Sequence, residues 1–257
     1  MDLQGWSELA AAVVWPAEWL VCGLALVRRL WRYLPYFAIY LVLMVLTNTG
    51  RWAVMIATGT GSRTYSWVYW MTQPVHILAR GAALADVCRV ALSPYSGLWR
   101  FARPLLMLAA TLMLGLAAVY TGGSHWLVSY LVFLERELEF AVVISLLVLL
   151  ALSRYYGMIV EPPLDGIALG LGFYSSFLII RDTIILEVLN VPWPILSLAS
   201  TIAYAATLGI WGFALWGALP ERARPVLSTV ESYELNTRVV SDRMRELNDR
   251  MLKLMRS

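Results

Sequence analysis

The feature that most constrains this chain is a series of apolar runs, each about 20 residues long, separated by short turns in which arginine recurs. A helix of about 20 apolar residues spans the hydrocarbon core of a bilayer. Seven segments reach or approach that length: Ser7–Val27, Pro35–Ala57, Tyr65–Leu92, Pro104–Tyr120, Trp126–Leu152, Leu164–Leu186 and Pro194–Gly217. Composition agrees. Of 257 residues, 60% are hydrophobic and 14% charged, against about 25% charged in soluble domains, and the mean hydropathy is +0.67. The expected fold class is therefore all-α: a polytopic membrane protein of seven transmembrane helices.

Turn chemistry marks the boundaries. Thr58 to Ser62 and Thr121 to Ser124 are glycine-rich loops, while Pro162, Pro163, Pro192 and Pro194 precede the last two runs, where proline's missing N–H costs nothing. Arginine sets the orientation. Arg28, Arg29, Arg32, Arg100, Arg103, Arg154, Arg222 and Arg224 fall in alternate loops and the tail, and the other loops hold only Arg63. The positive-inside rule puts the N-terminus outside and the C-terminus in the cytoplasm. Trp6, Trp31, Trp67, Trp70, Trp126 and Trp193 lie near segment ends, as interfacial anchors do. The N-terminus lacks the positive n-region of a signal peptide, so the first run is expected to be a retained helix.

Two parts follow: a bundle over 1–219 and a cytoplasmic tail over 220–257. In the tail Val230, Tyr233, Thr237, Val240, Met244, Leu247, Met251 and Leu254 alternate steps of three and four. That is about three and a half heptads, enough for a short coiled coil. The stripe suits a homo-oligomer or a partner subunit. An amphipathic helix lying on anionic lipid through its basic residues fits the same pattern. Gly166 and Gly170, and the alanines from Ala79 to Ala85, have the small-residue spacing of close helix packing.

Ionisable residues inside spans are costly, and they mark function or buried pairing. Here Arg51, His76, Arg80, Glu135, Glu139, Arg181 and Asp182 fall in the outer half of the expected bundle, at about 1.5 Å per residue. His76 and Arg80, and likewise Glu135 and Glu139, are four apart and share a helix face. One of these glutamates is expected to pair with Arg80 or Arg51, through the guanidinium fork. Glu18 and the deeper Asp86 are candidates for an intramembrane proton or ion site. The layer fits three readings: a buried network that fixes helix register, an outward-opening ligand pocket, or an ion pathway.

Several chemistries are excluded or unsupported. The only lysine, Lys253, is in the tail, so no retinal Schiff base can form. His76 is the only histidine in a span, leaving no pair for a haem. No metal motif, phosphate loop or nucleophile motif occurs, so neither cofactor nor metal is expected, and the chain reads as non-enzymatic. A net charge of +3 gives no case for nucleic acid. Cys22 and Cys88 fall within apolar runs and read as free buried thiols.

The stretches Pro94-Tyr95-Ser96-Gly97-Leu98, Leu134-Glu135-Arg136 and Gly166-Ile167-Ala168-Leu169-Gly170 resemble a group of small uncharacterised seven-helix bacterial membrane proteins. The resemblance implies a bacterial inner membrane. The functions weighed are a receptor-like sensor or adaptor with an outer pocket for a small ligand, a subunit of a larger membrane assembly, and a secondary transporter or channel.

Overall fold

In a computed structural model the chain is all-helical. The structure describes residues 3–59, 62–93, 126–156, 162–187 and 193–217. It also describes scattered positions between and beyond them: 99–100, 103–104, 107–108, 111–112, 115, 237–238, 241–242 and 245. Side chains are described from Ala12 onward in the first helix, from Ser129 in the fourth and from Ile195 in the sixth.

Six long helices are described: α1 Leu3–Val27, α2 Pro35–Thr58, α3 Arg63–Leu92, α4 Trp126–Tyr156, α5 Pro162–Glu187 and α6 Trp193–Trp216. Their limits lie within a few residues of the apolar runs. The expected span at 104–120 lies largely outside the described residues, and so do the tail positions Val240, Met244, Leu247, Met251 and Leu254.

Four helices are long and apolar enough to cross a membrane: α2, α4, α5 and α6. In α1 the apolar stretch with described side chains, Ala12–Val27, is shorter. The third helix forms where expected but does not reach the required apolarity, because Gln73, His76, Arg80 and Asp86 are buried along it. Each of these four side chains has a hydrogen bond or ion pair to a neighbouring helix.

The six helices close into a ring in the order α1, α2, α3, α4, α5, α6, and α6 returns to α1. Arginine-bearing ends gather at one end of this ring. Arg28, just after α1, donates to the carbonyl of Trp216 in the last turn of α6 at 2.9 Å, satisfying a C-terminal carbonyl that has no helical partner. Asp86, near the end of α3, accepts from the backbone N–H groups of Tyr36 and Phe37 at 2.9 and 3.4 Å. A carboxylate there both caps the first turn of α2 and complements its dipole. Arg89, one turn on, pairs with the same carboxylate at 2.6 Å. Asp86→Ala therefore loses about 1 kcal/mol or more of stability, measurable by unfolding in mixed micelles.

A close-packed aromatic junction lies in this half of the ring. Trp211 of α6 is fully buried, edge-on to Phe37 and Tyr40 of α2 at ring-centroid distances of 5.3 and 6.0 Å. Its indole N–H donates to the Ile167 carbonyl of α5 at 3.2 Å. Gly170 makes room for it: a Cβ there would overlap the indole ring, and one at Gly166 would meet the Ala214 side chain at 2.5 Å. The small-residue spacing of α5 is thus a packing face. Lipid offers no hydrophobic drive between helices, so such close fits carry the association. Gly170→Ala is expected to cost about 1–3 kcal/mol through overpacking, read as a lower SDS midpoint for unfolding.

Candidate functional site

Toward the other end of the ring, one face of each helix turns polar. On α3 the residues Tyr65, Tyr69, Gln73, His76 and Arg80 follow one another at steps of four, four, three and four. That spacing holds them on a single stripe. Residues Asn48 and Arg51 of α2, and Glu135 and Glu139 of α4, obey the same rule.

Glu135 is the hub. It is 3% exposed and accepts from Gln73 Nε2 at 2.8 Å and from Arg181 Nη2 of α5 at 3.0 Å, and it lies 3.6 Å from Arg80 Nη1. Arg80 makes its closest ion pair with the fully buried Glu139, and its guanidinium lies over the Tyr174 ring at 5.2 Å. Arg181 also holds its neighbour Asp182 at 2.7 Å. Three helices are thus tied through two arginines and three carboxylates. Buried charges are costly unless paired and hydrogen-bonded, and each of these five groups has at least one partner of opposite charge.

Of the two arginines expected to face an acid, Arg80 pairs with both glutamates. Arg51 does not pair with either. It donates to Thr72 Oγ1 at 2.7 Å, to the Tyr69 carbonyl at 3.1 Å and to Gln73 Oε1 at 3.1 Å, and lies over the Tyr69 ring at 4.4 Å. Its link to Glu135 runs through the Gln73 amide. His76 is hydrogen-bonded to Thr47 Oγ1 of α2. Arg136 and its neighbour Glu137 form a separate pair, and Arg136 reaches Glu187 at the end of α5 at 3.1 Å.

Glu18 and Asp86 are not brought together. Glu18, 4% exposed, accepts from Asn48 Nδ2 at 2.8 Å. Asp86 binds the opposite end of α2, 12 residues from Asn48 and so about 18 Å along the axis. The capping geometry gives Asp86 a structural task at that end.

Around the polar stripe is a cavity of about 290 Å³. Glu18, Asn48, Arg51, Gln73, His76, Arg80, Glu135, Arg181, Ser200 and Thr201 are its polar lining, and Trp15, Trp52, Tyr65, Tyr69, Tyr174 and Tyr204 its aromatic lining. Trp15 and Trp52 stack at 5.3 Å with their planes 19° apart, and Trp15 Nε1 donates to Thr49 at 3.1 Å. A second cavity of about 400 Å³ adjoins it and shares Tyr65, Tyr69, Glu135, Arg181, Ser200 and Thr201. Among the described residues no group of three or more histidine, cysteine or acidic side chains is arranged to hold a metal ion. Cys22 and Cys88 are free and buried.

The aromatic walls, Gln73 and Thr47 were not singled out from sequence. For Tyr65, Tyr69 and Gln73 the spacing with His76 and Arg80 on α3 is a signal that could have found them. No protein-family model, characterised protein or solved structure matches the chain.

Proposed function

We propose that this is a non-enzymatic, receptor-like membrane protein that binds a small ligand in the cavity that all six described helices line. The observation that carries this reading is the cavity lining. Charged groups converge on a space walled by six aromatic rings, the mixture of apolar wall and few polar groups that marks ligand sites.

We read the bundle as seven spans, N-terminus outside. Gln73 of α3 meets Glu135 of α4, and Arg80, two turns further on, meets Glu139, so the two helices run parallel and α4 starts at the end opposite to where α3 finishes. The chain must pass from one end of the ring to the other between residues 93 and 126, and this supports a further crossing over 104–120. The arginine-rich end then faces the cytoplasm. In this reading the tail, 220–257, docks a partner or a second copy through Val240, Met244, Leu247, Met251 and Leu254. The arginine distribution and the resemblance to bacterial membrane proteins support a bacterial inner membrane.

Native mass spectrometry of the protein in lipid nanodiscs tests the pocket. The expected result is a small molecule retained by the wild type and lost from Ser200→Leu, which fills the cavity wall without touching an ion pair. A chain that carries no small molecule, or one whose retention ignores Ser200→Leu, overturns the reading.

A further inference from the structure

Among the charged groups described around the cavity, two have no ion-pair partner. Arg80 is matched by Glu139 and Glu135, and Arg181 by Glu135 and Asp182. Glu18 and Arg51 remain, and among the described residues neither forms an ion pair. Glu18 has only neutral partners, the Asn48 amide at 2.8 Å and the Tyr204 hydroxyl. Arg51 has only neutral partners and the face of Tyr69.

Both line the same cavity. They are also neighbours. Asn48, which holds Glu18, is three residues from Arg51 on α2, so their Cβ atoms are about 5–6 Å apart. Two opposite charges, one held by Asn48 and the other one turn further along α2, line one space without pairing to each other. A buried charge left without a counter-charge is costly, and a ligand that supplies both counter-charges relieves both costs at once.

We propose, resting on the pocket reading above, that the ligand is a zwitterion of amino-acid type, its ammonium on Glu18 and its carboxylate on Arg51. A simple cation would meet Arg51 unmatched, and a simple anion would meet Glu18 unmatched. The stacked Trp15 and Trp52 beside Glu18 add attraction for an ammonium and a wall for an apolar side chain. A volume of about 290 Å³ lies at the lower end of ligand pockets, which suits one small molecule.

The test is tryptophan fluorescence and thermal unfolding of the full chain in nanodiscs, titrated with each standard L-amino acid. Any that binds is then compared with its decarboxylated amine and its deaminated acid. The expected result is saturable binding of one or more amino acids, with amine and acid weaker by about tenfold or more. Glu18→Gln is expected to weaken the amino acid and the amine but not the acid. Arg51→Gln is expected to weaken the amino acid and the acid but not the amine. The unfolding midpoints from the same samples separate lost binding from lost folding. If either variant has unfolded, Glu18→Asp or Arg51→Lys takes its place. No amino acid binding at millimolar concentration, or an amine or acid that binds as well as its parent, overturns the proposal. If that happens while nanodiscs still retain another molecule sensitive to Ser200→Leu, the pocket stands and only the ligand class falls. If nothing is retained either, both fall.

Discussion

Replacing Arg80 with alanine is expected to lower the unfolding free energy by about 3–5 kcal/mol, the cost of leaving a buried carboxylate without its partner. Arg80 is 2% exposed and Glu139 is fully enclosed. The lone charge would have no water to turn to, and Glu135 is already engaged by Gln73 and Arg181. Unfolding by SDS in mixed micelles, followed by helical ellipticity, reads the loss directly. The double substitution Arg80→Met with Glu139→Leu should regain most of it, because removing both members of a buried pair leaves nothing to desolvate. An Arg80→Ala protein within 1 kcal/mol of wild type would mean that the pair is open to water, and the enclosed network described above would be wrong. For the proposed ligand Arg51 is the better probe, since among the described arginines that line the cavity it alone forms no ion pair.

Trp211→Ala is the second large effect, about 3–5 kcal/mol. The indole fills the junction of α2, α5 and α6, and its loss leaves Phe37 and Tyr40 facing a void beside the empty Gly170 surface. In a bilayer, lost contacts of this kind are not offset by a hydrophobic drive elsewhere. Trp211→Phe keeps much of the volume but drops the bond to the Ile167 carbonyl, and should cost about 1 kcal/mol. Trp216, 73% exposed five residues further on, is the internal control. Its replacement by alanine should leave the SDS midpoint nearly unchanged. Equal effects at 211 and 216 would contradict the packing.

Much of the helical layout was legible in the sequence because each limit has a local cause: an arginine cluster, a glycine loop or a proline pair. The polar character of α3 was legible too, but the run was counted as an ordinary span. Apolar length says where a helix lies, and it does not say how many of its side chains other helices will shelter. The pairing of Arg80 with Glu135 and Glu139 followed from four-residue spacing on two helices. That Arg51 has no acid did not follow, because it depends on Thr72 and Gln73 reaching it first. Asp86 was misleading for a related reason. A carboxylate in a span resembles an ion site until the start of α2 is placed against it. The aromatic walls were hidden because tyrosine and tryptophan in a membrane helix look alike whether they face lipid, an interface or a cavity.

The bond from Arg28 to the Trp216 carbonyl joins the first helix to the last. During synthesis the chain extends by nearly 190 residues between these two points, roughly 10–40 s at bacterial or eukaryotic elongation rates. Until α6 emerges, the face of α1 that it will cover has no partner, and Glu18 has only Asn48. The wall that carries Ser200, Thr201 and Tyr204 arrives last. The cavity is therefore closed only once α6 has been made, and a ribosome that stops before then leaves an open arc of helices with its charged interior turned toward lipid. Such a nascent chain should be an early client for membrane quality-control proteases, while the completed ring should resist them.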